Sequence, residues 1–171
     1  FAEGHYNLGV FLQDQGRLDE ATAAYGRALE IDPTHNMAHV NLGKALQDQG
    51  KVDDAVASYR RALEAAPEHA EAYHNLSLLK TFEAGDADLA AMEALRARPG
   101  LDREQAMFLD FALAKALDEL GEPDRAFPFM ASGNRLKRAM VDFDFAREES
   151  LVEGVIGVFD KALLERHGAD G

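Results

Sequence analysis

From Ala2 to His69 the apolar positions fall three and four residues apart, the spacing of one face of an α-helix. Leu8 and Leu12 share such a face, and the run from about Ala2 to Gln15 predicts a first helix ended by Gly16. Asp19 and Glu20 then stand at the positive start of a second helix, which reaches about Ile31 before Asp32-Pro33 stops it. Shifted by 34 residues, the plan recurs. Leu42 and Leu46 form the stripe, Gly50 is the stop, Asp53 and Asp54 open the next helix, and Pro67 closes it. Asn7 matches Asn41, Gly9 matches Gly43, Ala21 matches Ala55, Tyr25 matches Tyr59, and Ala28 matches Ala62. A fixed period of this length marks a stacked repeat, in which each unit buries its apolar face only against its neighbours. Gly9 with Ala21, and Gly43 with Ala55, are expected where the two helices of a pair cross. Tyr25 and Tyr59 are expected to fill the gap between one repeat and the next.

The pattern predicts units at 1–35 and 36–69, a divergent third repeat at 70–106, a degenerate helix pair at 107–140, and a closing helix at 141–171. Residues 70–76 begin as a third copy, but Ser77 replaces the glycine and Lys80 the leucine. A short helix follows, with Leu89, Met92 and Leu95 on its face, and Pro99-Gly100 ends it. Leu113, Ala114, Leu117, Gly121 and Ala126 take the repeat positions once more, with Asp102 placed to cap an early start. Pro123 suits a first helical turn, whereas Pro128 is expected to kink the last helix of this pair or delay its start. Asp144 caps the expected closing helix, whose apolar side is Leu151, Val155, Val158, Phe159 and Ala162.

Composition narrows the function. A hydrophobic content of 47% over 171 residues supports a continuous core. The net charge of −13 argues against nucleic acid and anionic membranes as partners, since both reward Lys and Arg. With no cysteine there is no disulfide, thiolate metal site or cysteine nucleophile, which fits a cytoplasmic setting. No segment approaches the ~20 apolar residues of a membrane span. The sequence opens inside a repeat and without Met, so further sequence is expected upstream. No phosphate loop, nucleophile elbow or His-Glu-x-x-His motif occurs, so neither catalysis nor a cofactor is expected. His35 and His39 lie four apart, but no third ligand accompanies them, so no metal site is expected.

Leu-Gly in the first helix, then Ala, an aromatic, Ala and Pro at fixed offsets, resembles the tetratricopeptide repeat family. His5 and His39 depart from it where an aromatic usually opens the first helix. The resemblance implies an all-α fold, a right-handed solenoid of antiparallel helix pairs with degenerate C-terminal repeats and a capping helix. It also implies that one side of each first helix lines an inner groove that binds a protein or peptide. On that side stand Glu3, Asn7, Val10 and Asp14, then Met37, Asn41, Lys44 and Asp48, then Glu71, Asn75, Leu78 and Phe82. An Asn amide both donates and accepts, so the ladder Asn7, Asn41, Asn75 suits an extended backbone, with Lys44, Asp14 and Asp48 tuning charge preference. The alternative is that these amides only stabilise contacts between helices. Glu3, Met37 and Glu71 stand one turn before each Asn, and the two carboxylates exclude a C-terminal carboxylate as ligand. The ladder is similar to the arm of O-linked N-acetylglucosamine transferase.

Phe111 to Gly121, Asp124 to Phe127 and Gly133 to Arg138 resemble the linker of bacterial tetratricopeptide-repeat sulfotransferases, and the preceding segment from Ala70 to Gly100 is similar to it too. That implies a substrate-recruiting arm of a larger enzyme whose catalytic domain lies beyond Gly171. A third expectation is self-association through exposed repeat ends.

Overall fold

The structure, a computed structural model, describes residues 1–140. Residues 1–138 form one compact unit, and residues 139–171 fall in a second. The expected closing helix from Asp144 onward lies outside the described residues. Among the described residues every regular element is a helix: α1 (Ala2–Asp14), α2 (Leu18–Ile31), α3 (Asn36–Asp48), α4 (Val52–Ala65), α5 (Ala70–Leu79), α6 (Ala87–Arg96), α7 (Arg103–Glu119) and α8 (Pro123–Met140).

α1 pairs with α2 and α3 with α4, while α2 against α3 and α4 against α5 join one pair to the next. α1, α3 and α7 end the same way. Gly16, Gly50 and Gly121 adopt φ of 72°, 74° and 73°, a region that glycine enters without a side-chain clash. The following N–H groups, of Arg17, Lys51 and Glu122, then donate back to the carbonyls of Leu12, Leu46 and Leu117, each at 2.9 Å. By this ending α7 is built like α1 and α3.

The glycines inside α1 and α3 have a packing reason. A Cβ on Gly9 would stand 2.5 Å from the Tyr25 ring, and one on Gly43 would stand 2.5 Å from the Tyr59 ring. Each tyrosine hydroxyl donates to a glutamine of the same pair, Tyr25 to Gln13 at 2.8 Å and Tyr59 to Gln47 at 3.1 Å. The tyrosines therefore close the gap within their own repeat. They also face the following repeat, Tyr25 sharing a buried cluster with Ala45 and Tyr59 one with Ala72 and Leu76. Burial holds the Tyr25 hydroxyl pKa up at about 12 and raises that of Tyr59 further.

Leu8, expected in the core, is 47% exposed, whereas its register mate Leu76 is 1% exposed. The reason is position in the stack. The face of α5 that carries Leu76 packs on α4, whereas among the described residues no preceding helix covers the equivalent face of α1.

After α5 the repeat packing changes. α5 lies chiefly against α7, and α6 sits beside α7. Ser77 occupies the glycine position and is buried, its hydroxyl donating to the His74 carbonyl at 2.6 Å. Glu93 stands where Tyr25 and Tyr59 stand in their repeats, so no ring demands a glycine. α6 is held to α7 by Arg96, whose Nε is 2.6 Å from the fully buried Asp110 carboxylate.

The segment between α5 and α6 is pinned rather than helical. Phe82, expected on the groove stripe, is instead buried, because α5 stops at Leu79. The Lys80 and Lys115 ammoniums lie 4.5 and 5.7 Å from its ring centroid, and its N–H donates to Glu119 at 3.0 Å. Lys80 also pairs with Asp86 at 2.5 Å and Asp88 at 2.7 Å. Asp102 caps α7 in a reciprocal capping box with Gln105. α8 starts at Pro123 and continues through Pro128, so its start is not delayed. Pro128 lies near the helix N-terminus, where its missing N–H removes one helical hydrogen bond, that to the Asp124 carbonyl.

Candidate functional site

α1, α3 and α5 touch one another in sequence along one side of the stack, and each presents the same register positions there. The stripe they form is partly open. Asn7, Asp14, Asp48 and Leu78 are exposed, while Val10, Met37, Asn41, Lys44 and Asn75 are half-buried. Among the described residues Asp14 and Asp48 have no cation within ion-pair distance. Lys44 does: its ammonium pairs with Glu71 of the next repeat.

The three asparagines share a register but not an environment. Asn7 faces solvent. The Asn41 amide donates to the Tyr6 hydroxyl at 3.2 Å. Tyr6 in turn lies 6.1 Å from the Tyr25 ring and 4.9 Å from the His35 ring, and burial raises its pKa. The amide nitrogen of Asn75 is buried and has no hydrogen-bond partner. The cause lies one repeat back. Val40 occupies the position of Tyr6, so the hydroxyl that serves Asn41 has no counterpart for Asn75.

A second repeated contact crosses the same junctions. The His35 ring accepts from the Ala38 N–H at Nδ1 (3.2 Å), capping α3, and its Nε2 lies 3.3 Å from the Glu3 carboxylate. His69 caps α5 through Nδ1 at 3.4 Å, and its Nε2 lies 3.2 Å from Met37 Sδ. Met37 thus takes the place of Glu3 and gives His69 a thioether where His35 has a carboxylate. His39 is buried with Nε2 3.0 Å from the Pro33 carbonyl. His35 and His39 therefore engage different groups, and no set of three or more metal-ligating side chains clusters among the described residues. Sequence reasoning missed Tyr6, His69 and the capping role of His35. The signal for the histidines was their exact 34-residue recurrence just before a helix. For Tyr6 it was the Tyr-to-Val mismatch beside a matching Asn.

At the N-terminal ends of α3, α5 and α7 the stripe runs into a cavity of about 350 Å³. Ala66, Ala70 and Phe108 give it an apolar floor, and Glu68, Glu71, Asp102 and Glu104 bring carboxylates to its wall. Glu71 belongs to both the cavity and the stripe. Glu68 is engaged at the rim by Arg98, and Asp102 accepts from the Gln105 N–H at 2.7 Å. No described helix is long and apolar enough to cross a membrane.

Comparison with known proteins follows these lines. Residues 12–79 match the family model described as tetratricopeptide repeat. An uncharacterized protein of Aquifex aeolicus (strain VF5) is 28% identical over 88 residues, which is 52% of this chain and 12% of that protein. Among solved structures, a crystal structure of MamA superposes with a TM-score of 0.59 at 20% identity, covering 83% of this chain and 81% of that one. MamA from Desulfovibrio magneticus RS-1 gives 0.55 at 22% identity, over 82% and 77% of the two chains. The pilF protein of Pseudomonas aeruginosa gives 0.63 at 20% identity, over 80% and 61%. These structures share the all-helical solenoid fold. The match to the tetratricopeptide repeat model is confined to residues 12–79, within α1–α5.

Proposed function

We propose that the chain is a non-catalytic interaction module that holds an extended polypeptide along the face made by α1, α3 and α5. One observation carries the reading: three stacked helices present the same register positions on one side, and those positions stay partly open although the opposite faces are packed. The asparagines contribute unequally. Asn7 is free to meet a docked backbone, and Asn41 is committed to Tyr6. Asn75 carries a donor without an acceptor, which a docked carbonyl satisfies once the amide turns outward. Val10, Met37 and Leu78 supply apolar contact between the polar rungs.

Peptides selected from a random library on the immobilised protein, then titrated against isotope-labelled protein, test this. Shifts concentrated at Val10, Met37 and Leu78, lost with Asn7→Ala and Leu78→Asp, support the groove. Shifts confined to the outer faces of α2 and α4 overturn it.

A second reading, a recruiting arm of a sulfotransferase, draws on one observation: packing departs from the repeat at α5–α7, within the segment that carries that resemblance. A donor-binding loop encoded downstream in the same polypeptide tests it.

A further inference from the structure

We infer that the segment this groove takes is basic, and that it anchors a lysine or arginine side chain in the cavity between α3, α5 and α7. The inference rests on the groove reading and adds the chemistry of the occupant.

Charge complementarity selects that occupant. The stripe carries Glu3, Asp14, Asp48 and Glu71 against one cation, Lys44, and Glu71 already neutralises that cation. Asp14 and Asp48 are exposed, stand at equivalent positions one repeat apart, and have no cationic partner among the described residues. An acidic segment laid here would meet uncompensated carboxylates on α1 and α3. A basic one would meet partners spaced by the repeat.

The cavity makes the same selection by shape. Its apolar lining of Ala70 and Phe108 suits the methylene stem of a long basic side chain, and the Glu104 carboxylate suits the charged head. The Phe108 ring is half-buried against the core and lies 5.4 Å from the His74 ring, and its edge of the cavity would attract a guanidinium or ammonium as it would not a neutral side chain. Glu104 lies in the first turn of α7 and forms no ion pair among the described residues, so its charge is free for a ligand. Because Glu71 lies on both stripe and cavity wall, one extended chain can run along α1, α3 and α5 and turn a side chain into the cavity.

The test uses three short fluorescein-labelled peptides of alternating alanine with lysine, glutamine or glutamate, titrated by anisotropy at low and at physiological salt. The lysine peptide should bind at least about tenfold more tightly than the glutamine peptide, with the gap narrowing as salt rises. Glu104→Gln and Glu71→Gln should each weaken it about threefold to tenfold. Glu30→Gln and Glu64→Gln, exposed on α2 and α4, remove the same charge elsewhere and should leave binding unchanged. Equal weakening by all four variants would mean charge adhesion and overturn the inference. Equal binding of the glutamine peptide would overturn the basic preference while leaving the groove reading intact. If none of the three peptides binds, the groove reading falls together with the inference.

Discussion

In α1–α4 a tyrosine ring closes each helix pair over a glycine, at Gly9 and at Gly43. In α5–α7 both residues are gone, and the packing is held by an ion pair between Arg96 and buried Asp110, with Phe82 clamped under two lysines. The first arrangement is periodic and apolar, so it can be copied along the chain. The second depends on one set of charged partners, so it occurs once. The stripe of aligned positions follows the first: it is partly open along α1, α3 and α5 and meets a cavity where α7 replaces the expected partner of α5.

The largest expected effect attacks the second arrangement. Arg96→Leu strands the Asp110 carboxylate in the interior and should cost about 3 kcal/mol in chemical denaturation. Asp110→Asn in the same background should recover part of that loss, because the stranded charge is then gone. A cost below about 1 kcal/mol would mean that α6 is not held by this pair.

The next effect attacks the first arrangement by importing a residue from the second. Serine is native at position 77, yet Gly43→Ser should cost about 2 kcal/mol, because its Cβ would collide with the Tyr59 ring. In a Tyr59→Leu background the serine should cost under about 1 kcal/mol, since the ring that forbids it is absent. Equal costs in both backgrounds would break the proposed dependence of the glycine on the tyrosine.

A smaller and oppositely signed pair separates the two junctions. Asn41→Leu removes the donor that serves the Tyr6 hydroxyl and should destabilise by about 1 kcal/mol. Asn75→Leu removes an amide nitrogen that is buried without a partner, and should be neutral or stabilising by up to about 1 kcal/mol. If the asparagines serve a ligand as proposed, Asn75→Leu should still weaken peptide capture. Stability and binding would then move in opposite directions at one residue.

These contrasts also show what could be read before the structure. The 34-residue identity of Leu12 with Leu46, Gly16 with Gly50 and Tyr25 with Tyr59 reports local packing, so the helix pairs and their stops were legible. The partner of each tyrosine was not, because periodicity gives a face and not a neighbour. Leu8 shows a further limit: its residue type and register say core, yet among the described residues no preceding helix covers it and it is 47% exposed. Phe82 was misplaced because the stripe was extended past Leu79, where the helix ends without a glycine. In the site, the asparagine ladder was visible, but what each amide meets depends on the residue one repeat back. Tyr6 against Val40 decides that, at a position where the repeats differ.

The smallest expected effect concerns the junction caps. His69 caps α5 by accepting the Ala72 N–H at Nδ1, which requires the neutral ring. Burial lowers its pKa from the ordinary histidine value of 6.5, and burial lowers that of His74 as well. A histidine whose folded pKa is depressed binds fewer protons folded than unfolded as pH falls through 6.5. Its stabilising contribution is therefore complete above about pH 6.5 and is lost as pH falls toward the folded pKa. The melting temperature should decline between pH 7 and about pH 5, before the paired carboxylates of Asp88 and Glu119 begin to titrate, since both are held below their ordinary values. His69→Asn keeps a cap acceptor without a titrating group and should flatten part of that slope, leaving the remainder to His74. An unchanged slope in His69→Asn would show that the cap at α5 does not sense pH, and that the difference between the two junctions lies in Tyr6 and Val40 alone.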